Sequence, residues 1–317
     1  MKRHNFSVLV EDYLATRRSL GFDVQRHQWL LWNFARFTDR IRYHGPITVE
    51  LALRWAVSSC PGQPVRAERR LSAVRQFARY LSSLEPSTEI PPAGLLGYAT
   101  GRRQPHIYSD SEICALLREC SHLQPREGLR PRTYAAFFSL LACTGLRLSE
   151  ARRLRRRDVD LHEGLLTVRD GKFGKSRLVP LHPTAVQALA GYAAQRDTFP
   201  SARRSEFFFS TDRASVLNRR TVEQTFSGLR DRLGWSTHGR AGLPRIHDMR
   251  HTFAVRRLLR WYQQGADVNR KILALATYLG HAKVSDTYWY LSGVPELMAV
   301  TARRFEHFAQ PQQGGLL

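Results

Sequence analysis

The chain has 317 residues, 43% of them hydrophobic and 10% aromatic, enough to bury a core and to exclude wholesale disorder. Its 49 Lys and Arg outweigh 27 Asp and Glu, a formal charge of +22 that points to a polyanionic partner such as nucleic acid or an anionic surface. Met1–Val10 lacks the apolar run of a secretory signal, the most apolar stretch, Ala135–Cys143, is about half the length a membrane span needs, and the four cysteines form no CxxC pair, so secreted, membrane-spanning and zinc-ribbon classes are not expected.

The first hundred residues read as helices. Phe6, Leu9, Val10, Tyr13 and Leu14 recur at helical spacing, and Gly21 supplies a stop. A second helix spans 24–41 with Trp29, Trp32, Phe34 and Phe37, a third follows Thr48, and a fourth covers 66–84. Residues 1–84 are therefore expected to form a small helical domain. Pro86, Pro91, Pro92 and Pro105, with Gly94, Gly97 and Gly101, mark a linker over 85–106. Ser109-Asp-Ser-Glu112 before an apolar run is a capping box, and it opens a second domain over 107–317.

The second domain is mixed. Helices are expected over 110–120, 131–143 and 148–156. Two short strands, 165–169 and 177–181, are joined by Asp170–Ser176 as a hairpin. Further helices are expected over 183–195, 218–232, 247–263, 269–279 and 295–308, with Phe207–Phe209 as a buried strand. The last helix carries Leu297, Val300, Phe305 and Phe308, an amphipathic pattern. The fold class is mostly α with a small β component, α+β. Residues 1–100 hold 14 basic and 8 acidic groups and residues 101–317 hold 35 and 19, so most of the excess charge sits in the second domain. Cys60, Cys114, Cys120 and Cys143 are expected to be buried free thiols in a reducing cytosol.

Four segments carry chemistry together that none carries alone: Thr144-Gly-Leu-Arg-Leu-Ser-Glu150, Gly171-Lys-Phe-Gly-Lys175, His247-Asp-Met-Arg-His251, and Leu279-Gly-His281 followed by Tyr290. Attack on a phosphodiester needs a nucleophile, and a tyrosine hydroxyl serves if the developing charge is stabilised. Arg147 and Arg250 supply bidentate donors for the nonbridging oxygens. His247 and His281 donate hydrogen bonds or move a proton. Lys172, on a hairpin, can protonate the leaving oxygen. None of these steps calls for a metal ion.

These residues resemble the tyrosine recombinases, or phage-type integrases. The resemblance covers the whole second domain, and the helical first domain fits the family's core-binding domain. Thr144–Glu150 matches the family's T-G-x-R-x-S-E segment, with Glu150 at an acidic position that supports the site. Lys172 followed by Lys175-Ser-Arg-Leu-Val-Pro-Leu181 matches its hairpin lysine and K-x-R-x-V-P-L run. His247, Arg250 and His251 match H-x-x-R-H, and Leu279-Gly280-His281 matches L-G-H, after which the nucleophile follows nine residues on, at Tyr290. The loop reads Lys-Phe-Gly-Lys where Lys-Gly-x-Lys is commoner. Lys175 competes with Lys172 for the lysine role, and Lys175 and Arg177 are assigned to DNA contact. Tyr288 competes with Tyr290, and the two project about 200° apart in a helix. His247 and His251, four apart around Asp248, superficially resemble the zinc motif H-E-x-x-H, while His251 reads better as packing or support. Part of the Arg152-Arg-Leu-Arg-Arg-Arg157 run is a solvated face and part can track phosphates.

The resemblance implies a site-specific DNA recombinase or integrase of a mobile element. Tyr290 attacks the scissile phosphate to give a 3′-phosphotyrosyl bond, and a 5′ hydroxyl later reseals the strand, with no cofactor and no metal. It implies a specific double-stranded DNA site, a synaptic tetramer in which the C-terminal helix docks on a neighbour or on its own domain, companion recombinases or accessory proteins, and a cytoplasmic, nucleoid-associated location in a bacterium. The rival readings are a type IB topoisomerase and a catalytically silent DNA-binding regulator.

Overall fold

The computed structural model describes residues 5–22, 24–97, 104–169, 176–237 and 242–293. Lys172, Lys175 and the helix expected over 295–308 lie outside the described residues. The chain divides into two units, Met1–Arg102 and Arg103–Leu317.

Among the described residues the first unit holds four helices: α1 (Phe6–Ser19), α2 (Gln25–Arg40), α3 (Val49–Ser58) and α4 (Pro64–Ser82). Each start has a local cause. The Asn5 side chain accepts from Ser7 N and Val8 N, Thr48 accepts from Leu51 N, and Pro64 sits where a helix needs no N–H. The apolar faces meet around Phe6, Phe34, Trp55 and Phe77, all fully buried. Arg70 enters this core against Trp55: its guanidinium lies 4.1 Å from the Trp55 ring centroid and donates Nη2 to Trp55 O at 2.9 Å. The segment after α4 is fastened to this unit. Arg75 donates to Pro91 O and Pro92 O at 2.7 and 2.8 Å, and Glu89 accepts from Val49 N at 2.6 Å.

The second unit contains α5 (Asp110–Cys120), α6 (Leu129–Thr144), α7 (Leu148–Arg152), β1 (Val159–Asp160), β2 (Leu165–Val168), β3 (Arg177–Pro180), α8 (Pro183–Asp197), α9 (Pro200–Arg203), α10 (Arg219–Arg232), α11 (Ile246–Gln263), α12 (Val268–Leu279) and α13 (Ser285–Gly293). The capping box at Ser109 and Glu112 is formed. The α6 helix is apolar nearly all round and packs against α5, α8 and α11, with Phe137 and Phe138 fully buried. The strands form one antiparallel sheet in the order β1-β2-β3, and Val168 pairs with Arg177 at the root of the hairpin. The fold class is thus mostly helical with a small sheet.

Three expectations need correction. The helix expected over 148–156 stops at Arg152, because the next residues pair with a distant segment: Leu154 O accepts from Phe208 N and Arg156 N donates to Glu206 O, both at 2.8 Å. For the same reason Phe207–Phe209 is a single bridge, Arg155 to Phe207, and not a strand. Cys60 and Cys120 are buried, but Cys114 and Cys143 are exposed. The buried face of α5 runs through Leu116 and Cys120, and Cys114 lies off it. Among the described residues no helix is long and apolar enough to cross a membrane.

Candidate active site

The site is built where α12 ends. Gly280 adopts φ +67°, and Gly280 N and His281 N turn back to Thr277 O and Ala276 O. That closure leaves the next three carbonyls without a helical partner. Each takes a different arginine. Arg177 Nε donates to Tyr278 O at 2.7 Å, Arg250 Nη2 to Leu279 O at 2.7 Å, and Arg147 Nη2 to Gly280 O at 2.7 Å. Three cations at the negative end of a helix are favourably placed. The arrangement joins segments that are more than a hundred residues apart in sequence.

Each arginine is fixed at its other end too. Arg147 follows Gly145, which ends α6 in the left-handed region at φ +64°. A Cβ there would lie 2.7 Å from Phe253 Cδ1, so only glycine fits. Arg147 then donates its backbone N and its Nη1 to Glu150, at 2.9 and 2.8 Å. Arg177 reaches the same carboxylate with a two-pronged pair, Nη1 to Oε1 at 3.0 Å and Nη2 to Oε2 at 2.9 Å. Arg250, 2% exposed, donates Nη1 to Gly145 O at 2.9 Å. Its helix starts on Asp248, a fully buried carboxylate that accepts from Arg245 N and Arg245 Nη2 at 2.9 and 2.7 Å.

The electrostatics follow from burial and crowding. Burial alone would push the Glu150 carboxyl up, but its bonds to Arg177 and Arg147 outweigh that and hold it at about 2. Burial, then the charge of Arg147, brings Arg250 down to about 10, still cationic at neutral pH. Three arginines against one carboxylate leave the cluster two charges positive. Burial and then Arg250 push His247 and His281 down to about 4, and burial with His247 and Arg245 pushes His251 to about 3. All three imidazoles are neutral at pH 7.

Tyr290 lies among these groups and is 2% exposed. Its ring centroid is 5.5 Å from His251 and 6.3 Å from His281, nearly parallel to the latter, and its charge would act on Arg250. His281 is oriented by Thr287, whose Oγ1 lies 2.6 Å from Nδ1. His247 stands edge-on to His251 at 4.8 Å. Tyr288 is 45% exposed, so the structure brings Tyr290 and not Tyr288 to the arginines.

The structure therefore gathers Arg147, Glu150, His247, Arg250, His281 and Tyr290. Lys172 and Lys175 are outside the described residues; β3, which follows them in sequence, is tied to Glu150 through Arg177. Arg177, expected against DNA, is engaged by Glu150 and Tyr278 O. Sequence reasoning missed Thr287 and the capping role of Asp248, and it left His251 as packing or support. Spacings of four between His247 and His251, and of three between Arg245 and Asp248, were the available signals. Among the described residues no group of three or more His, Cys, Asp or Glu is disposed around a metal position.

Comparison with known proteins gives this geometry a lineage. The chain is 41% identical over 309 residues to the integrase/recombinase y4rB of Sinorhizobium fredii, covering 95% of this chain and 97% of that protein. It is 31% identical to the tyrosine recombinase XerD of Bradyrhizobium diazoefficiens, covering 94% of this chain and 95% of that one. Its fold matches the XerH site-specific recombinase in a post-cleavage complex on a palindromic difH substrate, with a TM-score of 0.65, 16% identity, and coverage of 95% of this chain and 85% of that one. A model of the phage integrase family matches residues 109–294, which hold every residue of the site, and the chain belongs to that family, the tyrosine recombinases.

Proposed function

We propose that this recombinase cleaves and rejoins DNA strands at a specific site through a 3′-phosphotyrosyl intermediate formed on Tyr290. The observation that carries the reading is the convergence of a buried tyrosine, two clamped arginines and three imidazoles beside the end of α12. The Tyr290 hydroxyl oxygen bonds to phosphorus as the bond to the 5′ oxygen breaks. Free N–H groups of Arg147 and Arg250 receive the nonbridging oxygens, and the two excess positive charges offset the charge that develops on them. The imidazoles, neutral before DNA arrives, are the bases grouped around the departing phenol proton. Lys172 returns a proton to the leaving 5′ oxygen. Reversal by a 5′ hydroxyl of another strand reseals the backbone and restores Tyr290, so bond energy is kept without a nucleotide cofactor.

Arg177 and Glu150 act as positioning residues in this scheme, holding the hairpin root against Arg147. The partner is double-stranded DNA carrying a recombination site. A palindromic site, such as the XerH substrate, requires protomers related by a twofold axis, and two such sites brought together make a synaptic tetramer. The likeness to an integrase/recombinase supports service to a mobile element in a bacterial cytoplasm, at the nucleoid.

A test is covalent capture. Genomic DNA trapped on the protein is sequenced and rebuilt as a duplex nicked beside the scissile phosphate. Wild type and Tyr288→Phe should form an SDS-stable adduct and Tyr290→Phe should not; an adduct with Tyr290→Phe removes the nucleophile assignment. Relaxation of plasmids lacking the captured sequence would favour a topoisomerase.

A further inference from the structure

Beside Glu150 the chain forms a cleft of about 490 Å³, lined by Arg152, Arg153, Arg155, Arg157 and Arg169. Its two carboxylates are already committed, Glu150 to Arg147 and Arg177, and Asp158 to Arg169 at 2.6 Å. Arg155 faces Glu206 at 3.1 Å. Arg153 and Arg157 are exposed, and no carboxylate pairs with either among the described residues. Arg152 donates to Leu217 O through Nη1, but its buried Nε has no partner among the described residues. Burial, then the neighbouring charges of Arg153 and Arg219, lowers its proton affinity. Like charges crowded into one concavity call for an anion.

The cleft's size and place say which anion. At ~30 Å³ per liquid water it has room for about sixteen, more than an isolated phosphate needs. It begins at Glu150, and α7 carries the chain about 1.5 Å per residue from Arg147 to Arg153, roughly 9 Å. DNA phosphates recur about every 3.4 Å of axis along a strand, so the cleft stands within a few nucleotides of the Arg147 site. We propose that this arginine cleft holds a second backbone phosphate of the DNA strand whose scissile phosphate sits on Arg147 and Arg250. The proposal rests on the reading that the chain acts on DNA. It accounts for the unpaired Arg153 and Arg157 and for the orphaned donor of Arg152.

The salt dependence of binding tests it. Each phosphate contact contributes about 0.9 to the slope of log K against log salt. Binding of a fluorescent 30-base-pair duplex is measured from about 50 to 200 mM NaCl, the range over which such contacts dominate. Arg153→Gln with Arg157→Gln should lower the slope by about 1 and weaken binding about tenfold at 100 mM. Arg153→Lys with Arg157→Lys should keep most of it. Arg203→Gln with Arg204→Gln, an equal charge loss at the end of α9, should change it by less than half as much. An unchanged slope, or an equal fall for both glutamine pairs, overturns the proposal. So does tripolyphosphate binding that needs Arg153 and Arg157 while the DNA slope stays fixed, which would make the cleft a small-anion site. Wild type that fails to bind the duplex at all refutes the DNA reading itself; wild type that binds with a cleft-insensitive slope refutes only the second phosphate.

Discussion

Replacing Glu150 with glutamine keeps the size of the side chain and removes the one negative charge among three arginines. The carboxyl is held at about 2 in the folded chain, against an ordinary value of 4.5. That difference corresponds to about 3 kcal/mol of stability at neutral pH. The group's folded value is depressed, so the contribution is complete above the unfolded value and is lost as pH falls toward 2. By pH 3 only about 1 kcal/mol of it remains. Breaking one side of a buried pair costs about 3–5 kcal/mol, the same interaction seen from Arg147 and Arg177, so the two figures agree and do not add. Glu150→Gln should therefore lower the melting temperature of the second unit by roughly 6–12 °C at pH 7, at about 2–4 °C per kcal/mol. The gap between wild type and variant should shrink by more than half at pH 3. Scanning calorimetry at both pH values measures it, and a gap that is absent at pH 7 or constant with pH would refute the charge argument.

Gly280→Ala places a Cβ 2.8 Å from Arg177 Nη1 at a φ of +67°, so it should cost about 1–3 kcal/mol in chemical denaturation and reduce adduct formation by at least tenfold. Arg177→Lys cannot make the two-pronged pair with Glu150 and also reach Tyr278 O. It should slow cleavage of an ordinary substrate far more than of one with a 5′-thiol leaving group, since the hairpin lysine is misplaced; equal slowing of both substrates would make its effect purely structural. His247, His251 and His281 should stay neutral from pH 8 down to about pH 5 in the free protein, read from their imidazole carbon–hydrogen NMR shifts. Titration of any of them near 6.5 would show that burial and the arginines do not set their charge.

What was legible in the sequence had local causes. Ser109 and Glu112 form the capping box that their spacing predicts, Thr48 caps α3, and the hairpin strands pair across Val168 and Arg177. The residues gathered at the end of α12 were legible as a group because their motifs demand particular residue types at fixed spacings. What was not legible depends on distant backbone. Nothing in Arg177 announces a bond to a carbonyl 101 residues away, so an arginine near a basic hairpin read as a phosphate ligand. The early end of α7 is likewise set by residues 206–208, which offer Leu154 and Arg156 hydrogen bonds that a helix would otherwise make. Arg153 and Arg157 read as part of one charge run with Arg155 and Arg156. Only the fold separates the paired from the unpaired: Arg156 binds Asp197 at 2.6 Å, and Arg155 faces Glu206.

The three guanidinium clamps on the end of α12 change how loss-of-function data on this protein should be interpreted. On the proposed mechanism, removing Arg147 or Arg250 deletes a phosphate ligand, and at the same stroke it uncaps the helix end that presents His281 and leads to Tyr290. The rate lost in an alanine variant is therefore a composite of chemistry and mounting, and it overstates what either guanidinium does for the transition state. The two parts separate in a substrate whose nonbridging oxygens are altered. A methylphosphonate lacks the charge to be stabilised but still needs the tyrosine in place, so the activity it retains in each variant measures the mounting alone.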